Sequence, residues 1–264
     1  MRYQVIATIV RREALEIVRN RLLVFSIVLP PVLFVALPLI LGTFTSESTK
    51  PTSAALVTQI LASRPDWADL TRDQLVAAFV MQQFLAFFLI LPAYVPLSIA
   101  TFSIVGEKQS RSLEAVLATP ISTGELLTGK SIAAVVPGIV TSWLAYCALL
   151  LLSAVILGPQ LARVLADPSW LAGVFLLGPV IGLLSCEAGI IVSSRVNDAR
   201  VAQQVGGVVI LPIVAIVLIQ AISGYLFGPR EYLIATVLLA VVAAGGLWLA
   251  VRLFARETIL TRWR

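Results

Sequence analysis

The sequence predicts an all-α integral membrane protein. It should have six transmembrane helices, an amphipathic interfacial helix ahead of them, and a short amphipathic helix on the loop between spans two and three. Three observations predict this. Hydrophobic residues make up 59% of the 264 and charged residues only 12%, with a mean hydropathy of +0.99. Soluble domains carry about 25% charged residues, so this chain cannot wrap its core in a water-compatible surface and the bilayer must be its solvent. Six runs reach the roughly 20 apolar residues that a span needs, and the basic residues gather on one side of them.

Residues 1–20 precede the spans. Tyr3, Ile6, Val10, Ala14, Ile17 and Val18 share one helical face, and Gln4, Thr8, Arg11, Arg12, Glu16 and Arg19 share the other. Such a helix lies along the membrane surface without crossing it; a disordered basic tail is the alternative. With Arg2, Arg11, Arg12 and Arg19 ahead of any long apolar run, the segment does not read as a cleavable signal, and it is expected to remain cytoplasmic.

The spans read as 22–42, 77–105, 131–157, 170–193, 205–224 and 232–253. Between the first two, an outer segment of 43–76 holds an apolar patch at Ala54–Ala62 and a Pro65 turn, predicting a short surface hairpin. Thr71 and Gln74 are spaced as a capping box, so the second helix starts before its apolar run. Proline or Gly-Pro interrupts five spans, at Pro30, Pro31 and Pro38, Pro92 and Pro96, Pro137, Pro179, and Pro212. Each is a hinge or a static kink.

Orientation follows from charge. With both termini inside, all but five of the 19 basic residues are cytoplasmic; the exceptions are Lys50, Arg64, Arg72, Arg163 and Arg230. The basic balance is thus a topology signal and needs no nucleic acid. Histidine is absent, and Cys147 and Cys186 both fall in apolar runs, so neither a metal site nor a catalytic constellation is expected.

One string invites an enzymatic reading. GELLTGKS, Gly124 to Ser131, matches the phosphate-binding pattern G-x-x-x-x-G-K-[ST]. A phosphate loop needs a buried strand before it and a soluble sheet around it. Here Ala118–Thr123 is no strand, Glu125 would oppose a polyphosphate, and Ser131 runs straight into a span. The match is expected to be accidental, with Lys130 snorkelling at the inner interface.

The surrounding loop, 106–130, is the only sizeable charged connection between spans on the inner side. Leu113, Val116 and Leu117 form one apolar ridge, Glu107, Lys108, Arg111 and Glu114 decorate it, and Pro120 ends it. The ridge is shaped either for a partner's groove or for the lipid headgroups.

This loop resembles that of the ABC-2-type exporter permeases. The resemblance rests on Glu107-Lys108, Ser112-Leu113-Glu114, Val116-Leu117, Pro120-Ile121-Ser122 and Gly129-Lys130. The interfacial helix and six spans match the family's plan; Ser112 stands where threonine is common. The resemblance implies a permease in the plasma membrane, with both termini cytoplasmic. Two such chains, identical or related, would pair in the lipid above two copies of an ABC ATPase. ATP and magnesium would bind that partner and no cofactor this chain. The coupling helix, with Glu107, Lys108, Arg111, Leu113, Glu114, Val116, Leu117 and Pro120, would dock on the ATPase. The interfacial helix, with Tyr3, Ile6, Val10, Arg11, Arg12 and Ile17, would assist. A path at the dimer seam would draw on Gln82, Gln83, Phe84, Phe87, Phe88 and Gln220.

Glu187 is the one acidic residue well inside a span. It reads as a gating or cation-contacting carboxylate, as half of an ion pair with Arg195 or Lys130, or as a protonated acid. Two other functions stay open: an intramembrane enzyme using Glu187 with Ser185 and Cys186, or an anchor that recruits an ATPase.

Overall fold

A computed structural model of the chain describes residues 2–46, 54–110, 121–223 and 227–253. Helices dominate, and no β-strand occurs among the described residues. Six of the helical stretches are long and apolar enough to cross a bilayer: Arg21–Phe44, Arg72–Gln109, Gly124–Ile156, Pro168–Arg195, Ala199–Ile216 and Pro229–Leu247. In hydrocarbon every backbone polar group must be satisfied within its own segment, and a continuous helix does this.

Helix α1 spans Tyr3–Arg19 and α2 spans Arg21–Ser46. The extended backbone of Asn20 separates them, and its Oδ1 accepts from the N–H of Leu23 at 3.2 Å, which starts α2. Pro30, Pro31 and Pro38 all lie within α2. Beyond it, α3 (Ala54–Ser63) is followed by a 3-10 turn at Pro65–Trp67, so among the described residues of this segment one helix and a turn stand where a hairpin was expected.

The second span divides into α4 (Arg72–Phe88) and α5 (Ile90–Gln109). The reason is local: Pro92 has no N–H to donate to the Phe88 carbonyl, and the helix lapses at Leu89. At the other end of α4 the capping box closes in both directions. Thr71 N–H reaches Gln74 Oε1 at 3.0 Å, and Gln74 N–H reaches Thr71 Oγ1 at 3.4 Å.

Helix α6 runs from Thr123 to Ile156 with Pro137 inside it. Gly158 then turns the chain with a φ of +92°, a conformation open to glycine, into α7 (Pro159–Leu165) and α8 (Pro168–Leu171). A π-helical turn, Ala172–Leu177, leads into α9 (Gly178–Arg195) just before Pro179. Helix α10 (Ala199–Gly206) passes through a 3-10 turn at Gly207–Ile210 into α11 (Leu211–Ser223), just before Pro212. Helix α12 (Pro229–Leu253) completes the bundle. At three of the five proline sites, therefore, helix geometry changes beside the ring; at the others the helix runs through.

The most intimate pair is α5 with α9. Small residues make the approach possible: a Cβ on Gly182 would sit 3.1 Å from the Pro92 carbonyl oxygen, and one on Gly189 would sit 3.1 Å from Ala100. Close backbone packing of this kind replaces the hydrophobic drive that lipid removes. Much of α2, α6 and α12 stays open to lipid, with Leu22, Val155 and Val241 fully on the outside.

The core concentrates around Trp170, which is wholly buried. Its ring stacks on Tyr146 at 5.9 Å and meets the edge of Phe88 at 5.8 Å. Its indole N–H donates to Gln82 Oε1 at 3.0 Å, and the Tyr146 hydroxyl donates to the Leu165 carbonyl at 2.8 Å. Both polar tips are thus satisfied inside the core.

Beyond the core, at the end of the bundle that carries α3, Arg64 clamps the connecting segments. It hydrogen-bonds Asp66 at 2.8 Å, pairs with Asp167 on the α7–α8 link, and lies over the Trp67 ring at 4.7 Å.

Candidate functional site

The opposite end of the bundle, where α1 lies, is built differently. Helix α6 begins there with Ser122 as its cap. Ser122 Oγ accepts from the Glu125 N–H at 3.2 Å, and the Glu125 carboxylate accepts from the Ser122 N–H at 3.1 Å. The same carboxylate accepts from the Arg2 N–H at 2.7 Å, tying the chain ahead of α1 to the first turn of α6.

Two turns further on stands Lys130, whose side chain is 5% exposed. Its Nζ reaches Glu13 Oε1 of α1 at 2.7 Å, Glu107 Oε2 of α5 at 3.1 Å and Ser103 Oγ at 2.6 Å. Both carboxylates are 4% exposed. Arg12 adds a fourth charge from the rim, 3.6 Å from Glu107 and 2.9 Å from Glu16. Two acids, one buried ammonium and one half-exposed guanidinium therefore join three helices. A buried charge is tolerated only when paired and hydrogen-bonded, and each buried member of this cluster is paired.

This geometry revises several expectations. Lys130 does not snorkel to the interface; it turns inward to Glu13 and Glu107. Glu107, expected on the rim of a docking surface, is buried against Lys130. Lys108 turns away from solvent too, donating to the carbonyls of Ser193, Ser194 at 2.9 Å and Val196 at 3.2 Å. There it caps the C-terminus of α9, where the helix dipole favours a cation. Arg111, Leu113, Glu114, Val116, Leu117 and Pro120 lie outside the described residues.

The string Gly124–Ser131 forms the opening turns of α6. A phosphate loop works by turning consecutive N–H groups toward an anion. Here those residues form a regular helix instead of such a loop, and the lysine that would meet a phosphate is held by two carboxylates.

On α1, Ile6, Val10 and Ile17 are half-buried while Tyr3 is 83% exposed and Arg11 and Arg12 are exposed. The inward stripe runs instead through Ile6, Ile9, Glu13 and Ile17. Ile9 lies so close to Gly129 of α6 that a Cβ there would clash with its side chain. A carboxylate set in an apolar stripe was the available sign of Glu13. Beside the cluster a cavity of about 260 Å³ opens between α1 and α5, lined by Arg12, Glu16, Asn20, Phe102 and Ser110 among others.

The residues proposed for a path separate. Gln82 and Phe88 belong to the aromatic core around Trp170. Phe84 and Phe87 pair at 5.8 Å, and the Gln83 amide has no hydrogen-bond partner among the described residues. The side chain of Gln220 lies outside the described residues. Glu187 is 2% exposed, with neither oxygen hydrogen-bonded to any described residue and no ion pair to Arg195 or Lys130. It rests against Gly246 of α12.

A family model described as "ABC-2 family transporter protein" matches residues 7–232, from α1 to the start of α12. No curated protein matches the chain.

Proposed function

The chain belongs to the ABC-2 family of transporter proteins, and from that premise we propose that it is the permease subunit of an ATP-driven exporter. With six membrane-crossing helices it is a multi-pass membrane protein. In this reading ATP is bound and hydrolysed by two copies of a separate ABC ATPase, with magnesium. A second permease chain, identical or related, completes the assembly in the plasma membrane, and both termini are cytoplasmic.

The match across 7–232 carries the reading. The charged junction supports it. Residues 111–120, the stretch expected to grip the ATPase, are flanked by α5 on one side and α6 on the other. Glu107 and Lys130 stand near those flanks, and α1 reaches the first through Arg12 and the second through Glu13. A push on the intervening segment would therefore be felt by three helices together, as rigid bodies with hinges require. Leu113, Val116 and Leu117 supply the apolar ridge for the ATPase groove. Arg111 and Glu114 fall to the rim, where charge mainly sets orientation and association rate.

The test is co-purification with an ABC ATPase, sought first in the neighbouring reading frames. Changing Leu113 and Leu117 to Asp should abolish the complex while leaving the chain's own melting behaviour intact. Recovery of an intact, active complex with the doubly substituted chain would remove the docking assignment.

A further inference from the structure

Glu187 sits midway along α9, about 12 Å from its Arg195 end at 1.5 Å per residue. Both carboxyl oxygens are buried without a hydrogen-bond partner among the described residues. A Cβ built on Gly246 would collide with Oε2 and lie 3.3 Å from the carboxyl carbon, so the group sits close against α12 at this glycine. Only a glycine opposite leaves room for it.

The described charged groups on the surrounding helices are paired with other groups or lie away from Glu187. On α5, Glu107 pairs with Lys130, and Lys108 caps α9. On α6, Lys130 holds Glu13 as well, and Glu125 holds Arg2 and Ser122. Arg195 of α9 and Arg200 of α10 are exposed at the α1 end, beside Asp198, which caps α10. Arg230 and Glu231 stand at the start of α12, remote from Gly246, and the side chain of Arg252 lies outside the described residues. The neighbouring Cys186 is itself buried. No described cation reaches the carboxyl.

An ionised carboxylate stripped of water and partner is so costly that such groups neutralise instead. We propose that Glu187 is a proton-binding site in the seam between α9 and α12, neutral while the seam is closed and ionised when the helices part. The ligand is the proton itself. Binding stabilises the closed seam; raising the pH withdraws the proton and favours an open one, in which water can solvate the carboxylate. The sign is that of any group whose neutral form is favoured by the packed state: its stabilisation is complete in acid and lost in alkali. Transport by this chain would then be linked to pH at a position remote from the ATPase, whichever substrate it moves.

Infrared spectroscopy of the full chain in lipid nanodiscs tests this without any transport assay. The difference spectrum between wild type and Glu187→Gln at neutral pH should contain the carbonyl stretch of a protonated carboxylic acid. That band should disappear in alkali. Gly246→Ala, which wedges the seam, should make it disappear at least one pH unit earlier, a tenfold change in proton affinity. Should the wild-type spectrum show only an ionised carboxylate at neutral pH, the proposal is overturned. It is equally overturned if Gly246→Ala leaves the titration unmoved. Since Gln is neutral and nearly isosteric, that reference variant keeps the packing of the closed seam.

Discussion

Replacing Lys130 by Met removes the one ammonium shared by Glu13 and Glu107. At an effective dielectric constant of about 20, each contact near 3 Å contributes roughly 5–6 kcal/mol of attraction. Desolvation of the three groups offsets most of that, and removing one partner from a buried pair typically costs about 3–5 kcal/mol net. Among the described charges, Arg12, 3.6 Å from Glu107 and 47% exposed, would be left to answer the two buried carboxylates. For a chain of this size the loss corresponds to a fall in melting temperature of about 6–20 °C. Thermal melts of the detergent-solubilised chain would measure it. Lys130→Arg should retain much of the stability. Adding Glu13→Gln to Lys130→Met should restore part of the loss, because one unpaired charge then disappears, and the cycle should show a coupling of about 1–3 kcal/mol. A Lys130→Met protein that melts within a degree or two of wild type would falsify the reasoning. So would losses that simply add, since the cluster would then not be what fastens α1 to the bundle.

Two further substitutions probe the packing elsewhere. Gly246→Ala should lower the melting temperature because its methyl meets Glu187, whereas Gly245→Ala faces open space and should be neutral or slightly stabilising, as alanine usually is in a helix; equal effects would deny the close seam. At the other end, the hydrogen bond from Arg64 holds the Asp66 carboxyl below its ordinary range, against a smaller opposing effect of burial. A lowered folded-state value means stability that is present above the ordinary carboxylate pKa and lost as pH falls through the folded one. Asp66 is 57% exposed, so its share is small, below about 1 kcal/mol. Melts should therefore decline slightly more steeply in acid for wild type than for Asp66→Asn, and identical acid limbs would remove Asp66 from the clamp.

The elements themselves were legible because each has a local cause. The long apolar runs, the Thr71–Gln74 cap and the alternation along α1 are all properties of contiguous residues. The lapse at Leu89 was within reach too, since Pro92 lies three positions on. The outer segment was less so. Its described helix and turn are held by Arg64 reaching Asp167, 103 residues away. The path candidates scattered for a similar reason. An aromatic stripe in a span reads the same whether it faces lipid, a channel or the core, and only the position of Trp170 put Gln82 and Phe88 into the core.

By itself, then, the sequence determined that this chain lives in a bilayer and how many times it can cross. These follow from hydrophobicity and hydrogen-bond supply, which act along the chain and need no knowledge of neighbours. The tertiary structure alone decided the partners of the charges. Glu13 meets Lys130 across 117 residues, and Lys130 meets Glu107 across the segment between α5 and α6. Charge attraction falls with distance in space and is indifferent to distance in sequence, so only helix crossings reveal which ion faces which, and which, like Glu187, faces none among the described residues.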